Sequence, residues 1–270
     1  MNKIITEQET FQRQQEELFQ LENKLAAYEL KFATLNTHLE YFRAEVFRVV
    51  GSLYVELDTL KVEIAEYSAL LHPDILELRK EAKIIKNEAT AFQAIQNNYQ
   101  IKQEFYGSFQ PSEQFQQLYL RIIKIVHPEL TTDAQERQFR REIITEINQI
   151  YQRGDEEQMK ELFKAILEFA DFQKEIISEA NLPSHLVKIN QQIVGIKQRI
   201  DEVKKQLHAL KTSSLAILRY DSIKLAQQGK DLLAETAAEL KQEITRQKAY
   251  LNELISQAKS RLENLIVIGY

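Results

Sequence analysis

Cysteine and tryptophan are absent from the 270 residues, and glycine and proline occur only six and four times. Without cysteine there is no disulfide, no thiolate metal site and no thiol nucleophile, which fits a reducing compartment. Glycine plus proline falls far below the roughly 12% of an average chain. So few breakers argue against a many-turned β fold. No apolar run approaches the roughly 20 residues that cross a bilayer, and the opening MNKIITEQETFQRQQEELFQ lacks the apolar stretch of a secretion signal. An excess of positive charge is missing too: 35 basic against 40 acidic side chains give a net charge of −5. Binding to bare phosphates draws on surplus Lys and Arg, so nucleic acid is not an expected partner. The expectation is a cytoplasmic, all-α protein with no membrane insertion.

What the sequence does contain is heptad periodicity. Apolar residues step by three and four through Leu18, Leu21, Leu25, Tyr28, Phe32, Leu35, Leu39, Phe42, Val46, Val49 and Leu53, then Leu57, Leu60, Ile64, Tyr67 and Leu71. The two successive steps of four around Leu53, beside Gly51, form a stutter that locally unwinds a supercoil. Unbroken, such a helix would run about 80 Å at 1.5 Å per residue and would need a partner for its seam. Thr6 and Glu9 have capping-box spacing and Pro73 ends the segment, which sets a first long helix over 1–72. Asp74 with Glu77 predicts the cap of a second helix over 73–106 that folds back on the first. Tyr106 to Pro111 then breaks the pattern.

A C-terminal segment, 183–270, carries two further seams. Pro183 and Ser184 open one, through Leu186, Ile189, Ile193, Ile196, Ile200, Val203, Leu207 and Leu210. The other runs Leu233, Ala237, Leu240, Ile244, Gln247, Leu251, Leu254 and Ala258, with Gln247 as its one polar interruption. Separated by Thr212 to Gly229, they suggest an antiparallel hairpin. Homodimerisation through these coils, or capture of a protein partner or client, is the alternative use of the seams. The apolar ending Leu265 to Ile268 is too short for a membrane anchor and is expected to dock on this fold or in a partner's groove.

Between the coils, 111–170 is patterned differently. Ser112 can cap a helix that Pro128 stops, and Asp133 with Glu136 can cap a second. Leu118 and Ile122 on the first, with Phe139, Ile147 and Tyr151 on the second, supply facing apolar surfaces. The expected product is a small helical hairpin with His127, Pro128 and Glu129 at its tip.

These residues resemble the J-domain of the DnaJ co-chaperones, in the bacterial form that embeds a J-like hairpin between long helices. The likeness rests on Leu118-Tyr119, Arg121 and Lys124, then His127-Pro128-Glu129, then Phe139 and Ile147 to Tyr151, followed by Gln152-Arg153-Gly154-Asp155. It covers about fifty residues. Glu129 stands where the family has aspartate, and Leu120 and Ile125 stand where it usually has basic residues. The resemblance implies a DnaK-type chaperone as partner, met through Arg121, Lys124, His127, Pro128 and Glu129. Without it, His127 reads as the end of a helix before a proline. A literal His72-Pro73-Asp74 also occurs, but no basic residue stands in Ala65 to Leu71. It reads as the turn between two helices.

Nothing else in the sequence suggests chemistry. His38, His185 and His208 are isolated, and no HExxH, GxSxG or GxxxxGK[ST] is present. Arg137, Arg140 and Arg141, balanced by Glu136 and Glu142, read as a solvated face. The acid pairs Glu16-Glu17 and Glu156-Glu157 lie on charged helices without an apolar pocket to raise a pKa. The expected function is therefore non-enzymatic and without a cofactor: a J-like co-chaperone or adaptor, or alternatively a coiled-coil scaffold whose hairpin meets no chaperone.

Overall fold

The computed structural model describes the backbone of residues 2–102, 110–176 and 182–268, with side chains over 9–91, 93–94, 110–168 and 185–263. Among these residues there are helices and no strands, so the chain is all-α. The helices are α1 (Asn2–Val46), α2 (Ser52–Leu71), α3 (Leu76–Lys102), α4 (Glu113–Val126), α5 (Ala134–Arg153), α6 (Glu156–Ile176), α7 (Leu182–Lys211), α8 (Ser214–Ala226) and α9 (Leu232–Ile268). No helix of the described residues is long and apolar enough to cross a membrane.

The chain divides into two compact units, each made of two stretches of sequence: Met1–Glu40 with Gly107–Ile217, and Tyr41–Tyr106 with Leu218–Tyr270. The four consecutive segments expected from the sequence are therefore interleaved. In the first unit, α4, α5 and α6 close around Phe115, Tyr119, Ile122, Ile147, Tyr151 and Met159, and α1 lies against them through Ala26 and Ala33. Helix α7 covers the seam of α1, with Ile196 and Ile200 buried against Leu25. Phe11 meets His185, Gln14 bonds Asn190, Glu17 pairs with Lys197, and Lys204 lies over the Tyr28 ring. The numbers rise together along both helices, so the pair is parallel.

In the second unit, the apolar side of α2 packs Leu57 and Leu60 against Ile244 and Leu251 of α9. Glu56 pairs with Lys248 at 2.6 Å, and the Arg261 guanidinium reaches the Leu71 carbonyl. This pair is parallel as well. The seams of α7 and α9, expected to face each other in an antiparallel hairpin, are each buried by a stretch of the N-terminal helices instead. Helix α8 occupies the segment expected to be the hairpin's connection. Helix α3 does fold back on α2, with Lys86 bonded to Glu66 at 2.9 Å.

Several boundaries differ from the sequence reading. The stutter is absorbed by one turn of π-helix, Phe47–Gly51, whose wider turn takes up the extra residue. Helix α1 begins before Thr6 and Glu9, so their capping-box spacing falls inside a helix. Asp74 lies in the turn ahead of α3, where the Ile75 N–H donates to the His72 carbonyl. His72, Pro73 and Asp74 are exposed there as a joining turn. Pro183 and Ser184 sit inside the first turn of α7, where the missing N–H of proline costs nothing. The break at 106–109 and the side chains of Leu265 to Ile268 lie outside the described residues.

Ile196 is fully buried. Replacing it with alanine is expected to cost about 3 kcal/mol through lost burial and the cavity left behind. The check is a lower urea midpoint by far-UV circular dichroism, with the exposed Val194→Ala as a control that changes little.

Candidate functional site

The residues around His127 are positioned by short-range capping. The Ser112 hydroxyl accepts from the Phe115 N–H at 3.0 Å, which starts α4, and Pro128 stops it one residue after His127. Pro128–Leu130 forms one turn of 3₁₀-helix. The Asp133 carboxylate accepts from the Glu136 N–H at 2.7 Å, which starts α5. Gly154 ends α5 in the left-handed conformation at φ 72°, a position that favours glycine. Asp155 then accepts from the Gln158 N–H and opens α6.

Leu118, Ile122, Ile147 and Tyr151 all pack in the core that α4, α5 and α6 form. The Tyr119 hydroxyl donates to the Asn148 side-chain oxygen at 2.8 Å, and the Tyr151 hydroxyl meets that of Thr34 at 2.9 Å. Burial, reinforced by the nearby charge of Glu29, pushes the Tyr119 phenol well above 10, so it stays a donor. Phe139 does not join the core: it is 49% exposed. It lies eight residues before Ile147, and at 100° per residue that leaves it about 80° off the inward face. Arg140, seven residues before Ile147, faces inward in its place. Its guanidinium donates to the carbonyls of Ile125 and His127, at 2.9 and 3.3 Å, and to the Glu136 carboxylate. Arg137 donates to the Thr131 carbonyl. Two of the three arginines expected on a solvated face therefore hold the loop together.

The tip itself is covered by its own chain. His127 is 3% exposed and Pro128 is buried. His127 Nδ1 accepts from the Glu129 N–H at 3.2 Å, so the ring proton belongs on Nε2, which faces the Glu29 carboxylate of α1 at 3.5 Å. Glu29 is itself 4% exposed and takes a 2.8 Å bond from Arg199 of α7. Burial alone would raise the Glu29 carboxyl, but the His127 bond and the Arg199 guanidinium outweigh it and hold the group below its ordinary 4.5. The Gln192 amide donates to the Leu130 carbonyl, and Leu130 packs into the α1–α7 seam. The Glu129 carboxylate lies on α7 at Gly195, where a Cβ would come within 2.6 Å of it. Helix α7 has a glycine where the tip presses closest.

The other two expected contact residues remain exposed but engaged. Arg121 sits over the Phe163 ring, 4.8 Å from its centre. Lys124 lies near Glu22 of α1, whose carboxyl is raised by burial against the pull of that lysine. A cleft of about 550 Å³ runs beside the tip, lined by Glu129, Thr131, Arg137, Asn190 and Gln198 among others. At its edge the Arg137 Nε is buried without a hydrogen-bond partner. Elsewhere the acid pairs form surface bonds, Lys160 with Glu156 and Glu157, and Glu17 with Lys197. Among the described residues no three His, Asp or Glu gather as metal ligands.

The sequence reading missed Glu29, Gln192, Gly195 and Arg199. Each is a polar or small residue beside an apolar seam, and such positions reveal a buried role only once the covering helix is known. Helix α6 was also missed, although Asp155 and the spacing of Met159, Leu162, Phe163 and Ile166 give a local signal.

Two outcomes follow. Glu29 binds fewer protons folded than unfolded, so its contribution to stability is present above pH 4.5 and is lost as the pH falls through its lower folded value. Glu29→Gln should flatten the stability curve over that acid range in urea titrations. Arg140→Ala should cost about 2 kcal/mol by removing charge-assisted bonds to carbonyls at the end of α4, whereas exposed Arg141→Ala should change thermal stability by no more than about 0.5 kcal/mol. Comparison with protein-family models, with curated proteins and with solved structures gives no match to this chain.

Proposed function

We propose that the protein is a non-enzymatic helical adaptor that uses a J-like hairpin as its docking element. Its partner is a DnaK-type chaperone or another protein met through α4 and the turn His127–Pro128–Glu129. The observation that carries this reading is the tip, a preorganised turn that already engages charged and amide groups of two other helices. The turn is fixed by the His127–Glu129 bond and by Arg140. The groups it engages are Glu29 of α1 and Gln192 of α7. Arg121 and Lys124 lie exposed on the helix that leads to it.

A second reading is a scaffold in which the hairpin only anchors α1 and α7. The burial of His127 favours it. The two readings separate in an assay of single-turnover ATP hydrolysis by a DnaK-type chaperone in excess. The adaptor reading expects stimulation by the wild type that His127→Gln removes while circular dichroism stays unchanged. Absence of stimulation from wild type and Glu129→Asp alike would leave the scaffold.

A further inference from the structure

Most charges around the tip are answered within the chain: Glu29 by Arg199, and Glu136 by Arg140. Two are not, and both line the cleft of about 550 Å³ beside the tip. The half-buried Glu129 carboxylate has no cation among the described residues. The half-buried Arg137 guanidinium has no carboxylate: it spends one N–H on the Thr131 carbonyl, and its Nε–H, shut off from water, has no acceptor. Nor do Glu129 and Arg137 pair with each other.

The remaining walls are polar too. Gln191 and Gln198 of α7 line the cleft, and their side-chain amides bond nothing among the described residues. Each amide offers both donors and an acceptor. Val194 is the apolar side chain of the lining. The volume lies within the range of small-molecule sites, but such a lining gives an apolar ligand little to bury against.

The two signs of charge narrow the ligand further. An anion drawn to Arg137 meets Glu129, and a cation drawn to Glu129 meets Arg137. A molecule carrying an ammonium and a carboxylate answers both at once. We infer that this cleft is a binding site for a small zwitterion, an amino acid or short peptide with free ends. Its ammonium pairs with Glu129 and its carboxylate with Arg137, while Gln191 and Gln198 meet the groups between. Reaching the Arg137 Nε takes a turn of that side chain into the cleft it already lines. Gly195 has a part in this arrangement. Glycine inside a helix is unfavourable relative to alanine, yet here it leaves room for the Glu129 carboxylate, which a Cβ at this position would meet at 2.6 Å.

The test is a chemical-shift titration of the isotope-labelled full chain with L-alanine and with trialanine. Trialanine acetylated at its amino end, or amidated at its carboxyl end, serves as control. Saturable shifts are expected at the side-chain amides of Gln191 and Gln198, and blocking either end should weaken binding about tenfold, the loss of one charge-assisted bond. Glu129→Gln keeps the size of the side chain and the backbone bond to His127, and should weaken binding about tenfold as well. Gly195→Ala favours the helix and displaces only the end of a flexible side chain. It should weaken binding with the urea midpoint kept or raised.

Equal affinity for alanine and trialanine identifies the ligand as a free amino acid, and tighter trialanine as a peptide. No saturable shift from either up to roughly 10 mM, an affinity below that of ordinary ligand sites, overturns the inference. Binding that ignores the blocked ends, or that survives both substitutions unchanged, overturns it too. The titration contains no chaperone, so its failure does not touch the adaptor reading.

Discussion

An apolar stripe that recurs every three or four residues along a helix cannot remain in water, and most of this architecture answers that constraint. The stripe of α1 is covered by α7 and that of α2 by α9, each time by a parallel neighbour. The π-turn at Phe47–Gly51 keeps the stripe usable across a change of phase. What distinguishes the first unit is that its long helices are also joined to a compact three-helix core, so a hairpin tip comes to lie against them.

Glu29 gives that joint its character. A carboxylate this deep in a protein is tolerated only when its charge is answered, and here Arg199 and His127 answer it from two different helices. Its ionised state is favoured in the folded chain despite burial. Three elements distant in sequence therefore share one charge, and moving any of them disturbs the other two.

The parts of this arrangement that sequence revealed are those governed by neighbours in the chain. Ser112 and Asp133 were legible as caps because a cap is decided within three residues, and Pro128 as a stop because its ring admits no other outcome. Leu118, Ile122, Ile147 and Tyr151 follow from helical period alone. Phe139 was misplaced because steps of four drift around a helix, and one residue further on Arg140 points inward. The partners of α7 and α9 were illegible for a different reason: a seam specifies that it must be buried and not by what. Glu29 and Arg199, 170 positions apart, carry no mutual signal at all.

The parallel pairing of α1 with α7 also sets an order of assembly. The residues it joins are separated by 170 to 180 positions, so a nascent chain has completed α1, α4, α5 and α6 before α7 exists. Contacts within α4–α6 are local and form early, whereas closing so long a loop comes late. Every newly made molecule thus passes through a stage in which the α4–α6 core is built and the apolar seam of α1 still waits for α7.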